Sequence, residues 1–191
     1  MNPKWVLATQ NKGKILEFQR LFQEHGVDIV SFELGQEVAE TGQTFQENAL
    51  LKAQAFAHAS GHIALADDSG LEVEALGGQP GVFSARWAGP DQNYVEVFKI
   101  LEERLADVNK PRATFVCALC LYADGHAPQY FEGRLEGHLQ FPPTGIQGFG
   151  YDPIFVPNGY DVTLAQMSPE DKNQISHRSQ ALCQLIDHLS R

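Results

Sequence analysis

Basic residues are in short supply: 14 Lys and Arg stand against 24 Asp and Glu, for a formal net charge of -10. That balance excludes a general nucleic-acid or anionic-membrane surface, either of which wants a basic footprint. A free nucleotide stays within reach, because a few placed lysines and a divalent metal can outweigh the global field. Cysteine is scarce and odd in number, and Cys117, Cys120 and Cys183 leave one thiol unpaired, which fits a reducing compartment. No run of about 18 apolar residues occurs, so no membrane partner is expected. The opening MNPKWVLATQNKGK has no long apolar stretch or cleavage signal, and the reading is a soluble cytoplasmic protein. No repeat, low-complexity tract or linker interrupts the 191 residues, of which 43% are hydrophobic. The expectation is one α/β domain with a central mixed sheet flanked by helices, large enough to bury a core.

What is present is a regular alternation of strand and helix signals. WVLAT reads as a buried strand, and KILEFQRLFQEHG as a helix with Ile15, Phe18 and Phe22 at helical spacing and Gly26 as its stop. VDIVSF is a second strand. TFQENALLKAQAFAHASG is a helix whose start carries a capping box, Thr44 with Glu47, and whose one side holds Phe45, Ala49, Lys52 and Phe56. HIALA reads as a central strand, LEVEAL as an alternating one and GGQPG as a turn. YVEVFKILEERLAD is an amphipathic helix. RATFVCALCLY and APQYFEGRLEGHLQF are paired strands, and IFV is a short one. SPEDKN opens a helix with Ser168 as N-cap and Pro169 at its first position, and HRSQALCQLIDHLS is the last helix. Cys117 and Cys120 form a CxxC, but residues three apart on a strand face opposite ways, so core thiols are expected rather than a metal or redox pair.

Several clusters could carry chemistry. In ALADDSG, Asp67 and Asp68 follow an apolar strand, and adjacent carboxylates there repel and resist desolvation. A divalent metal would relieve that repulsion, and oxygen ligands suit Mg²⁺. The bland alternative is an Asp-Ser-Gly turn. Thr9 to Lys14, TQNKGK, lie between strand and helix, where backbone N–H groups attract anions. A Walker A loop is not matched: Ala8 stands where its first Gly belongs, and Ile15 where its Ser or Thr belongs. The segment is either an anion site or a polar loop with solvated lysines. Glu40 lies in a loop where it could reach a metal. Lys52, on an apolar stripe, either snorkels or meets an anion. Phe149 and Tyr151 sit near Asp152 among glycines, as packed loop aromatics or as a platform for a base. Lys172, His177 and Arg178 surround a helix start.

Five blocks occur together and in order: LATQNKGKILEF, AETGQTFQENALLKA, ALADDSGLEVEALGGQPGVFSARWAG, GFGYDPIF and SPEDKNQISHR. With them the chain resembles, essentially from end to end, the Ham1/RdgB-type inosine triphosphate pyrophosphatases. The resemblance implies an ITPase-like fold of two lobes with the active site in the cleft between them. It implies Mg²⁺-dependent hydrolysis of ITP, dITP and XTP to the monophosphate and pyrophosphate by a homodimer that removes deaminated purines. Carried over by position, Thr9, Gln10, Asn11, Lys12, Gly13 and Lys14 would cradle the triphosphate and Lys52 would add a phosphate contact. Glu40 and Asp68 would hold the metal. Asp68 would be the general base, with Glu47 and Asp67 in support. Ser69 would touch substrate, and Phe149, Gly150, Tyr151, Asp152, Lys172, His177 and Arg178 would enclose the purine. Gln10 departs from the family pattern, which often has Gly there; its longer side chain would either narrow the phosphate pocket or point outward. GFGYD and SHR speak for this family over the Maf-like nucleotide pyrophosphatases. The intact Glu40, Asp68 and Lys14 set speaks against a non-catalytic nucleotide sensor.

Overall fold

A computed structural model describes residues 5–25, 29–30 and 32–190. Six strands form one mixed sheet in the order β2-β1-β3-β4-β5-β6. They are β1 (Trp5–Ala8), β2 (Ile29–Val30), β3 (Ile63–Val73), β4 (Arg112–Tyr122), β5 (Gln129–Leu139) and β6 (Phe155–Pro157). β1 runs parallel to both β2 and β3, and β5 runs antiparallel to β6. The helices are α1 (Lys12–His25), α2 (Phe45–Ser60), α3 (Ser84–Trp87), α4 (Tyr94–Arg104), α5 (Pro169–Ile175) and α6 (His177–Leu189). The expected helix stop at Gly26, and Val27, Asp28 and Ser31 of the expected second strand, lie outside the described residues.

The chain divides into two compact units. The first comprises Met1–Asp68, Cys117–Gly133 and Arg178–Arg191. β1 and the parts of β3 and β4 in this unit are buried on both faces, and the pleat sorts their side chains by parity. Trp5, Leu7, Leu65, Cys117 and Leu119 pack with Phe18, Leu21 and Phe22 of α1 and with Leu182 and Leu185 of α6. Val6, Ala8, Ala64, Ala66 and Cys120 pack with Ala49, Ala53, Phe56 and Ala57 of α2. The two thiols of the CxxC therefore belong to different clusters, as their spacing requires. α2 begins where the sequence places it: Thr44 Oγ1 accepts from Glu47 N, Glu47 returns its carboxylate, and Gly61 in a left-handed conformation closes the far end.

The second unit comprises Ser69–Val116 and Arg134–His177. Its core joins Leu71 and Val73 of β3, Val97, Phe98 and Leu101 of α4, Phe115, Leu139, Ile154 and Phe155. Ser168 caps α5 by accepting from Asp171 N, with Pro169 next, as predicted.

One expectation is corrected. HIALA and LEVEAL are not separate strands with a polar turn between them; β3 runs from Ile63 to Val73 and carries Asp67, Asp68 and Ser69 within it. β1 pairs with β3 only as far as Ala8 opposite Ala66. The two aspartates thus follow the last residue paired with β1, at the carboxyl end of the parallel strands, where ligands of open α/β sheets gather. Extended backbone is tolerated there because each carboxylate meets its own lysine.

Candidate active site

Strand parity decides which lysine. Asp67 shares the face of Leu65, toward α1 and α6; Asp68 shares the face of Ala64 and Ala66, toward α2. Asp67 is fully buried and forms an ion pair with Lys14 of α1. Its Oδ2 lies 3.6 Å from Arg178 Nε at the start of α6 and accepts from Cys117 Sγ at 3.2 Å. Arg178 Nη1 in turn donates to Glu17 Oε2 at 2.7 Å. Burial alone would raise the Asp67 pKa, but the charges of Lys14, Arg178 and Lys52 together hold it well below the usual carboxylate range. The same surroundings push the Cys117 thiol up, first by burial and then by the neighbouring carboxylate.

Asp68 is tuned the other way. Lys52 Nζ bridges Glu40 Oε1 at 2.6 Å and Asp68 Oδ1 at 2.8 Å. Burial raises the Asp68 pKa and Glu40 adds to it, against the opposing charges of Lys52 and Lys14. Lys52 itself, though buried, has its pKa raised because Asp68, Glu40 and Asp67 outweigh desolvation. Neighbouring groups whose environments drive their proton affinities apart are the usual mark of divided acid–base roles.

The expected anion loop is built on Asn11. Its Oδ1 accepts from Gly13 N at 2.9 Å and Lys14 N at 3.2 Å, so Asn11 caps α1, and Thr9 Oγ1 accepts from Asn11 N at 3.2 Å. That turn aims Lys14 inward, and Lys12 is exposed. Gln10 reaches sideways, its Nε2 donating to Gln36 O at 3.3 Å. Glu47 spends its carboxylate on Gln43 N and Thr44 N, ahead of α2.

In the second unit, Ser69 is half-buried on β3. Asp152 Oδ2 accepts from Phe149 N at 2.8 Å and from Lys172 Nζ at 2.7 Å. The Lys172 ammonium also lies 5.2 Å from the centroid of the Phe149 ring. Gly148 adopts φ +73, and a Cβ there would stand 2.0 Å from Asp152 Oδ2, so only glycine lets the turn close. Gly150 adopts φ +65. His177 is buried and stacks on Phe115 at 4.9 Å. Tyr151 is a support rather than an open face: it packs edge-on against Tyr94 in the core, and its hydroxyl donates to Ser84 O at 2.8 Å.

Sequence reasoning missed Glu17 and Cys117 as members of the Asp67 network. The signal for Glu17 was legible: with Lys14 it interrupts a stripe that continues as Phe18, Leu21 and Phe22, where an apolar residue belongs. For Cys117 no local signal exists, since only the pairing of β4 brings it to Asp67.

Glu40 and Asp68 offer the oxygen donors that Mg²⁺ prefers. Asp68 Oδ2 is buried and has no hydrogen-bond partner among the described residues, an arrangement that is costly unless a cation or water completes it. Lys52 already places a positive charge on the other oxygen. Among the described residues no three His, Cys, Asp or Glu side chains gather into a full metal cage. That agrees with an ion held by one or two carboxylates and otherwise by water and phosphate oxygens. The residues present fit the group.

Paired lysines and carboxylates at the carboxyl ends of parallel strands, beside a capped helix start, define an α/β protein with a charged site of alternating sign. Comparison with known proteins gives the particular family. The model of the Ham1 family matches residues 5–188, and the chain belongs to that family. It is 43% identical over 186 residues to the dITP/XTP pyrophosphatase of Bacillus subtilis, covering 94% of this chain and 93% of that one. To the dITP/XTP pyrophosphatase of Rhodospirillum centenum it is 48% identical, covering 95% and 92%. Among solved structures it resembles the Ham1 proteins of Staphylococcus aureus (TM-score 0.86, 39% identity) and Coxiella burnetii (TM-score 0.88, 41% identity), each with 98% of both chains covered.

Proposed function

We propose that the chain hydrolyses non-canonical purine nucleoside triphosphates, ITP, dITP and XTP, to the monophosphate and pyrophosphate with Mg²⁺. Working as one catalytic domain over its whole length, it would remove deaminated purines from the nucleotide pool. The observation that carries the reading is the Asp68 carboxylate, held through one oxygen by Lys52 and presenting the other, buried and without a donor among the described residues. The matched family and the names of its relatives support the substrate class.

The residues divide the work by charge. The Lys14 ammonium, beside the positive end of the α1 dipole, binds phosphate oxygens, helped by Lys52. Glu40 and Asp68 would hold the Mg²⁺, which when bound would supply Lewis-acid stabilisation of negative charge on the leaving group. Asp68 Oδ2 takes a proton from water as the water oxygen attacks the α-phosphorus; the bond from that phosphorus to the bridging oxygen breaks and pyrophosphate departs. Asp68 rather than Asp67 serves as the base, because Asp67 is committed to Lys14 and Arg178 and holds them in place.

At the base, Phe149 offers a ring face, with Lys172 and Asp152 fixing its turn. Donors from His177 and Arg178 suit the keto oxygen at position six of hypoxanthine and xanthine. Adenine offers an amino donor there, and two donors facing each other leave both unsatisfied. The homodimer and the cytoplasmic setting belong to the same proposal, by family resemblance.

The test is pyrophosphate release from ITP, XTP, dITP, ATP and GTP, with and without Mg²⁺. Metal-dependent release from the first three alone is expected. Release from none of them would move the protein to nucleotide binding without turnover.

A further inference from the structure

We propose that Asn48 is the positioning residue that sets Glu40 for the divalent cation; the inference rests on the reading of Glu40 as a metal ligand. Asn48 lies in the first turn of α2, fully buried. Its Oδ1 accepts from Gly42 N at 2.8 Å, across the chain reversal that leads from Glu40 into the helix. The backbone closes tightly around it. A Cβ on Gly42 would come within 2.6 Å of the Glu47 Cβ and 2.7 Å of Asn48 Oδ1. Gly42 is therefore needed for close approach, not for an unusual φ.

Glu40 is two residues from that anchor, so its Cα can stand no more than about 7 Å from the Gly42 Cα. Its carboxylate is held at the other end by Lys52. Lys52 follows Asn48 by four residues on the same helix, one turn along the same face. One helix face thus fixes the Glu40 backbone through Asn48 and its side chain through Lys52.

A purely structural role explains this badly. Asn48 Nδ2 is buried without a hydrogen-bond partner among the described residues, a desolvation cost with no return. Glu47 and Thr44 already cap the helix with each other and need no help from Asn48. A side chain kept at that cost to hold one loop amide points to placement of what precedes the amide.

The test compares Asn48→Ala, Gly42→Ala and Glu40→Gln with the unaltered protein. Mn²⁺ binding is read by electron paramagnetic resonance on protein saturated with an α,β-imido analogue of inosine triphosphate. Hydrogen exchange of residues 40–44 and the melting temperature are followed in parallel. Residues that orient a metal ligand typically change metal affinity about 10- to 100-fold, and that weakening is expected for both Asn48→Ala and Gly42→Ala, with faster exchange at Gly42. Activity is expected to recover toward the unaltered value at saturating metal. A fall in melting temperature with Mn²⁺ affinity unchanged would make Asn48 a packing residue and overturn the inference. Unchanged Mn²⁺ affinity in Glu40→Gln would instead remove Glu40 as a ligand, and the inference with it. Should Asn48→Ala not fold, Gly42→Ala decides.

Discussion

Asp67→Asn and Asp68→Asn are adjacent, isosteric and remove the same charge, yet the structure expects unequal effects on stability. Asp67 is fully buried between Lys14 and Arg178. Removing one member of a buried pair costs about 3–5 kcal/mol. Asparagine keeps the shape and an acceptor for the Cys117 thiol, so the lower figure applies. At about 2.1 cal/mol/K per residue the unfolding entropy of a chain this long is about 0.4 kcal/mol/K, and a loss of about 3 kcal/mol lowers the melting temperature by about 7 °C. The sign of the pH dependence follows from the depressed pKa of Asp67. Its contribution is complete above the unfolded value, about 3.9, and is lost as pH falls through the folded one. The gap between wild type and Asp67→Asn is therefore expected at pH 7 and should narrow below about pH 4. For Asp68 burial wins and its pKa is raised, so its ionised form is disfavoured by folding, and protonation at low pH relieves that cost. Asp68→Asn is expected to cost less at pH 7 while losing turnover, because the burial cost it relieves offsets part of the lost Lys52 pair and Lys52 keeps Glu40. Melting curves and urea titrations from pH 7 to 3 read both effects. Equal destabilisation by the two variants, or a gap for Asp67→Asn that ignores pH, would refute the opposed tuning.

Alkylation with iodoacetamide at pH 8 should modify Cys183 alone in the native protein, because Cys117 and Cys120 are buried, the latter with its pKa pushed up to about 12. Mass spectrometry showing native modification of either buried thiol would contradict the packing of β4. Tyr151→Phe removes the donor to the Ser84 carbonyl and should cost about 1–2 kcal/mol in urea unfolding; an unchanged midpoint would show that the hydroxyl contributes nothing. Arg178→Ala is expected to narrow the difference in kcat/KM between ITP and ATP, chiefly by raising KM for ITP. An unchanged ratio would place base readout elsewhere.

Much of this was legible in the sequence where the cause is local. The capping box of α2 needs only Thr44 and Glu47, the divergent thiols need only strand parity, and Lys52 on an apolar stripe raised an anion as one of two readings. What failed was non-local. DDSG resembles a turn because adjacent carboxylates and a glycine disfavour a buried strand. Lys14 and Lys52, which make the strand tolerable, arrive from other elements. For Tyr151 the sequence left a packed loop aromatic and a platform for a base both open, because the Ser84 carbonyl that claims its hydroxyl is 67 residues away. Asn48 carries no local signal, since only the folded loop brings the Gly42 amide against it.

The face of α2 that meets the sheet is built from alanines, Ala49, Ala53 and Ala57 against Ala8, Ala64 and Ala66. These methyl groups act as a spacer of fixed thickness between backbone and backbone. Lys52 rides on that helix, so the thickness of the alanine layer also gauges how far its ammonium extends to Asp68. A valine at Ala49 or Ala53 would not touch the site, yet it would lift the whole helix and draw the ammonium away from the carboxylates. The tolerance of the chemistry is thus set by the smallest side chains in the unit, in a layer that carries no charge at all.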